Sequence, residues 1–241
     1  EISIQMIQLG QNFQFNSPQL VSGFVTSSGK SYPIEIQSFI EVIDEKKWFE
    51  HFLQWLTTHK YGNDEMNAVN NHGTCWVMQV AVFSKLVGDT NLLQYCSKRF
   101  KQVLLLGQMA PNGSFPLEIK RTKPYGYSLF NLDAMVTLAH VLSTQKENLF
   151  DFIGTGNVSI KKGIEFMFPF IANKASWPYA KDVMYFDEWP VAPISLLFGS
   201  KATNNSSWFD TWQKLEHFPT NEEVIRNTPI RNPLIWINNS L

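Results

Sequence analysis

Apolar residues recur at helical spacing along most of the chain. Between Phe39 and Leu56, the positions Phe39, Ile40, Val42, Ile43, Trp48, Phe49, Phe52, Leu53, Trp55 and Leu56 follow the three-and-four rhythm of an amphipathic helix. A second such run from Thr74 to Val87 carries Trp76, Val77, Val80, Ala81, Phe83 and Leu86. Gly88-Asp89-Thr90 ends it and opens a third, with Thr90 as the predicted N-cap. Leu92, Leu93, Tyr95, Cys96, Phe100, Val103 and Leu104 continue that third helix, and so short a link predicts an antiparallel hairpin. Pro111-Asn112-Gly113-Ser114 is a turn signal, and a polar stretch runs from it to Gly126. Ser128 to Leu142 is helical again, with Leu129, Leu132, Met135, Leu138, Ala139 and Leu142 on one face. Ile160 to Ile171 and Val191 to Phe198 read as further helices. Asn221 followed by two glutamates opens a short one to Arg226. The apolar stretches at 4–9 and 234–237 are too short to assign as strands. With no internal repeat and no linker, this pattern predicts a single all-α domain over residues 1–241, a bundle or toroid of helical hairpins. Residues 1–38 are less periodic and form its uncertain edge.

A chain of 241 residues has ample length for a core. Charged residues make up 17% and aromatics 14%, and the net charge is -1, so bulk electrostatics give no reason to expect nucleic acid or an anionic membrane as partner. A polyanion would need a local basic groove, and Lys120, Arg121 and Lys123 are the one short basic cluster. No apolar run is long enough to span a bilayer. The chain begins at Glu1, which is expected of a processed or trimmed form. Cys75 and Cys96 are too few for a disulfide scaffold; they either pair between antiparallel helices or are two buried thiols. Glycosylation acceptor patterns begin at Asn112, Asn157, Asn204, Asn205 and Asn238, and they permit a secreted or periplasmic origin.

The candidate chemistry lies in two segments. Asn70-Asn71-His72-Gly73-Thr74 sets amides and an imidazole before an apolar helix. As a default this is a helix cap. Two asparagines and a histidine exceed what a cap needs, and Gly73 permits close backbone approach. Arg121-Thr122-Lys123-Pro124-Tyr125-Gly126-Tyr127 sets a guanidinium six residues ahead of a tyrosine, in a polar connection suited to contacting sugar. Amide, imidazole, guanidinium and phenol together can hold a carboxylate and move a proton beside it, the requirement for eliminating across an acidic sugar. Trp76, four residues after His72, shares its helix face and is either core or a sugar platform. Trp177-Pro178 and Trp189-Pro190 read as turn-and-core anchors. Other chemistries fare worse. His51, His59, His72, His140 and His217 are dispersed without metal spacing, so no metal or other cofactor is expected. Gly154-Thr155-Gly156 lacks the lysine of a phosphate loop, and no G-x-S-x-G elbow occurs. Glu118 and Asp133 would be the first carboxylates to consider for glycoside hydrolysis.

At these positions the chain resembles the alginate lyase family of helical-toroid polysaccharide lyases. The matching runs are Asn70 to Thr74, Asn112-Gly113-Ser114-Phe115-Pro116-Leu117-Glu118, Arg121-Thr122-Lys123 and Tyr127-Ser128-Leu129-Phe130-Asn131-Leu132, within a resemblance from about Phe39 to residue 235. The resemblance implies β-elimination on a 4-linked polyuronate such as alginate or glucuronan. By it, Asn71 and His72 bind the uronate carboxylate, Arg121 helps neutralise it, and Tyr127 takes the C5 proton and returns one to O4. Neutralising the carboxylate stabilises the enolate-like anion. A tyrosine, with an ordinary pKa of about 10, needs a neighbouring cation to act as a base. Asn70, Trp76, Glu118, Lys123 and Tyr125 are the expected further substrate contacts. The chain departs from the family at Phe115, where a glutamine is usual, and at Cys75, where an aromatic often stands; these bear on substrate choice. The resemblance also implies that about the first third of the family's domain is missing, so the expected toroid is incomplete: a companion chain supplies those helices, a homo-oligomer rebuilds the ring, or the chain is a proteolytic product. A non-catalytic sugar-binding or storage protein on the same fold is the alternative reading.

Overall fold

The computed structural model describes residues 34–233 and residue 236, with side chains from Lys46 onward. The segments 1–33 and 4–9, most of 234–237, the acceptor Asn238 and the side chains of Phe39, Ile40, Val42 and Ile43 lie outside the described residues.

The described residues are helical and contain no strand. The order is α1 (Ile34–Thr58), α2 (Lys60–Met66), α3 (Asn71–Val87), α4 (Thr90–Arg99), α5 (Leu105–Gln108), α6 (Pro116–Ile119), α7 (Pro124–Leu142), α8 (Ile160–Ala172), α9 (Ile194–Thr203), α10 (Ser206–Lys214) and α11 (Glu222–Arg226). A π-helical turn, Phe100–Leu104, joins α4 to α5. The all-α expectation holds, while α2 and α10 escaped the sequence reading because each is short and largely polar.

The boundaries have local causes. Gly88 closes α3 at φ 86°, a left-handed position that suits a residue without Cβ. The next N-cap is Asp89, one residue before the predicted Thr90, and its carboxylate accepts from Leu92 N at 2.9 Å. Helix α7 starts one turn earlier than predicted, with Pro124 in a first turn that needs no intrahelical N–H. Helix α9 starts at Ile194 rather than Val191, because Val191 bridges to Glu216 instead.

Helix α7 is the axis of the core. Nearly all its residues are buried, not the single face that the spacing predicted, so it behaves as an interior helix. Helices α3, α6, α8 and α9 pack against it, and α3 in turn carries α1, α2 and α4. Along α1 the predicted apolar face divides. Phe49, Leu53 and Leu56 are buried, whereas Trp48 and Trp55 stay largely exposed in a stack with Phe52 and His59. Trp177 and Trp189 are buried, as turn-and-core anchors should be. The Trp189-Pro190 peptide is cis.

Candidate active site

The first turn of α3 and the first turn of α7 carry the candidate residues. At α3, Asn70 is the N-cap and its side chain accepts from His72 N at 3.1 Å, so the capping role is real. Gly73 does permit a close approach: a Cβ there would lie 2.2 Å from Ala68 O. Gln108 of α5 then binds three partners. Its Nε2 donates to Asn70 O at 3.0 Å, and its Oε1 accepts from Thr74 Oγ1 at 3.1 Å and Asn131 Nδ2 at 2.9 Å. One buried amide thereby locks α3, α5 and α7 together.

Glu118 of α6 joins the two segments. It is 1% exposed, and its Oε1 accepts from Asn71 N at 2.6 Å, the first backbone donor of α3. Its Oε2 accepts from Asn71 Nδ2 at 3.4 Å and from Arg121 Nη1 at 2.8 Å. The carboxylate thus complements a helix N-terminus and an arginine together. Arg121 is half-buried and lies over the Tyr127 ring, 3.8 Å from its centroid. Asn71, Glu118, Arg121 and Tyr127 form one continuous chain of contacts.

The start of α7 is held from far along the sequence. Asp182 accepts from Tyr125 N at 2.8 Å and Gly126 N at 2.9 Å. A Cβ on Gly126 would come within 2.8 Å of Asp182 Oδ2, so glycine is needed there for close approach. Burial pushes the Asp182 carboxyl above its usual range, opposed by these two hydrogen bonds and by Lys123 and Lys174. Val183 N also donates to Thr122 O at 3.0 Å, tying the 182–189 loop to the Arg121–Tyr127 crossing.

The remaining expected residues divide. His72 follows the buried Asn71 but is exposed, and its Nδ1 lies 2.9 Å from Glu65 Oε2. Lys123 pairs with Glu223 at 2.7 Å. Two expected sugar contacts belong to the core instead. Trp76 is 2% exposed and donates from Nε1 to Leu56 O at 3.1 Å. Sharing a helix face with His72 does not fix depth, and Trp76 lies a turn further into the core. Tyr125 is fully buried, its hydroxyl bonded to Phe170 O at 3.2 Å and its ring edge-on to Trp177 and Phe186. Burial pushes its phenol pKa up further. Glu118 positions Asn71 and Arg121 rather than facing solvent.

Gln108, Asp182, Glu65 and Glu223 were not singled out from the sequence. Gln108 gave one usable signal, a polar residue ending an apolar helix just before the Pro111–Ser114 turn. Asp182 gave none, because its partners lie 56 and 57 residues away.

Both cysteines are free. Burial pushes the Cys75 and Cys96 thiols up to about 12 each, with Glu118 and Glu65 adding to the effect on Cys75 and Asp89 adding to that on Cys96 against Arg99, so neither is poised as a nucleophile. Asp133 accepts from Ser195 N at 3.0 Å and is 5% exposed. With both Glu118 and Asp133 buried on helix N-termini, neither is placed as a hydrolase carboxylate. Among the described residues, no group of three His, Cys, Asp or Glu is arranged to hold a metal ion, and no helix is long and apolar enough to cross a membrane.

The alginate lyase family model matches residues 42–177. The match covers more than half of the 241 residues, and the chain belongs to the alginate lyase family. The fold is similar to the crystal structure of an alginate lyase from Bacteroides ovatus, at 23% sequence identity and a TM-score of 0.66. The similarity covers 83% of this chain and 52% of that one, so the chain spans about half the length of that structure. No curated protein matches the sequence.

Proposed function

We propose that the chain carries the catalytic site of a polysaccharide lyase that cleaves a 4-linked polyuronate by β-elimination. The observation that supports this most strongly is the buried Glu118 bridge. It sets the Asn71 amide and the Arg121 guanidinium around one carboxylate and leaves Arg121 stacked on Tyr127. The substrate is an acidic polysaccharide, mannuronate- or glucuronate-containing, and the enzyme is secreted or periplasmic.

In this reading Asn71, His72 and Arg121 neutralise the uronate carboxylate, which stabilises the anion formed when the C5 proton leaves. Tyr127 takes that proton. The C5 electrons form the C4–C5 double bond, the C4–O4 bond breaks, and a proton from Tyr127 passes to O4. Side chains supply all the neutralising charge. Glu118 keeps Arg121 oriented, and Glu65 holds the His72 ring. Asn112, Asn157 and Asn204 are exposed and Asn205 half-buried, so these acceptors are compatible with a secretory route.

The test is the ultraviolet absorbance of the unsaturated uronate on incubation with alginate and with glucuronan. The wild type is expected to generate it, and Tyr127→Phe to lose roughly 10²–10⁴-fold in kcat with binding retained. Absence of the chromophore with every polyuronate, together with calorimetric binding, would instead favour a non-catalytic sugar-binding protein.

A further inference from the structure

Beside Tyr127 stands a second tyrosine with an unusual backbone. Tyr185 adopts φ 62° and ψ 14°, the left-handed region. That conformation is unfavourable for a residue with a Cβ, and such strain persists only where neighbours enforce it. Here they do. On one side Val183 N is bonded to Thr122 O. On the other, Lys174 Nζ donates to Phe186 O and Trp189 O, each at 2.7 Å. The loop holds Tyr185, half-buried, in the wall of a cleft it shares with Lys123, Tyr127, Glu223 and Asn227.

Lys123 lies between the two tyrosines. Its Nζ is 4.9 Å from the Tyr185 ring centroid and 5.8 Å from that of Tyr127. Glu223 Oε1 holds the ammonium at 2.7 Å, and the other Glu223 oxygen is taken by Arg226. One carboxylate is therefore shared by two cations. The nearby Asp182 is engaged by two backbone N–H groups. Here two tyrosine rings flank the Lys123 ammonium, with Glu223 as its countercharge. A pyranose uronate presents the complement, an apolar C–H face and a carboxylate.

We infer that Tyr185 and Lys123 form a subsite for the uronate next to the one attacked by Tyr127. The Tyr185 ring stacks on the sugar, Lys123 pairs with its carboxylate, and Glu223 is a positioning residue for Lys123. This rests on the lyase reading above and extends it to a second sugar unit. It also accounts for a tyrosine where the backbone favours glycine.

The experiment compares Tyr185→Gly, which suits the left-handed backbone and removes the ring, with Tyr185→Phe, which keeps the ring. On the polyuronate cleaved by the wild type, Tyr185→Gly is expected to raise KM on the order of tenfold, with kcat and Tm little changed, the pattern of lost uniform binding. Tyr185→Phe is expected to keep the wild-type KM. An unchanged KM in Tyr185→Gly, an effect confined to kcat, or an equal KM rise in Tyr185→Phe overturns the inference. Should Tyr185→Gly fail to fold, Tyr185→Asn also accepts this backbone and serves in its place. Should the wild type cleave nothing, calorimetry with the same alginate and glucuronan oligosaccharides decides. Binding that weakens in Tyr185→Gly upholds the subsite while the lyase reading fails, and absence of binding overturns both.

Discussion

Glu118 and Asp133 are similar devices in two regions of the core. Each is a buried acid that accepts a backbone N–H at the first turn of a helix distant in sequence: Glu118 at Asn71 of α3, Asp133 at Ser195 of α9. The helix N-terminus favours the negative charge in both places. They differ in what else they touch. The second Glu118 oxygen reaches Arg121, whose side chain is 29% exposed and lies on Tyr127. Asp133 has no such outlet, and burial pushes its carboxyl up to about 6 against the bonds from Ser195 and Ile194. A buried acid on a helix start is thus architecture by default. It becomes part of a site when its remaining lone pairs orient a group that solvent, and hence substrate, can reach.

The strongest way to break this contrast is to neutralise each acid in turn. Glu118→Gln removes the countercharge of Arg121 and is expected to lower kcat/KM by about 10²-fold through misplacement, with a stability loss of about 1–3 kcal/mol. Asp133→Asn keeps an acceptor for Ser195 N and is expected to leave activity unchanged. Steady-state kinetics and urea denaturation on the two variants check this, and equal losses of activity would erase the distinction.

Asp182, the third acid of this kind, offers an intermediate case. Gly126→Ala drives a Cβ against Asp182 Oδ2 at the start of α7. A loss of about 1–3 kcal/mol is expected from the overpacking, with a smaller fall in activity than Glu118→Gln because Tyr127 lies in the same turn. Denaturant midpoints and kcat/KM measure both.

The smallest effect is a pH dependence. The Asp133 carboxyl is raised from 3.8 to about 6 by burial, so its contribution to stability is full below pH 3.8 and is lost as pH rises through 6. His140 packs against Phe198, and burial, reinforced by Lys85 and Lys201, lowers it from 6.5 to about 4. Its contribution is present above pH 6.5 and is lost as pH falls through 4. The two oppose each other between pH 4 and 6. Asp133→Asn is therefore expected to lose stability more steeply than the wild type on acidification across that window, and His140→Phe less steeply. Denaturation series at several pH values read out the two slopes.

The sequence reading and the structure agree best where the cause is local. The Asn70 cap, the Gly88 stop, the Pro111–Ser114 turn and the long helices follow from side chains acting over a few residues. Arg121 and Tyr127 were recognisable from their residue types, six positions apart in one polar connection, although the spacing placed the helix start after them. The burial of Trp76 and Tyr125 was not legible in this way. Spacing identifies a face but says nothing about what covers it, and Leu56 and Phe170 cover these two. The exposed Trp48 and Trp55 show the converse error, apolar residues in phase with the core that remain outside it.

By itself, the sequence determined an all-helical chain and brought forward Asn71, His72, Arg121 and Tyr127, since periodicity and residue chemistry are properties of short segments. Tertiary structure alone decided that Glu118 would bind Asn71 across 47 residues, that Asp182 would hold the start of α7, and that Tyr185 would face Lys123. Those pairings arise only once the core has closed, because loop closure brings together groups whose separation along the chain gives no local signal.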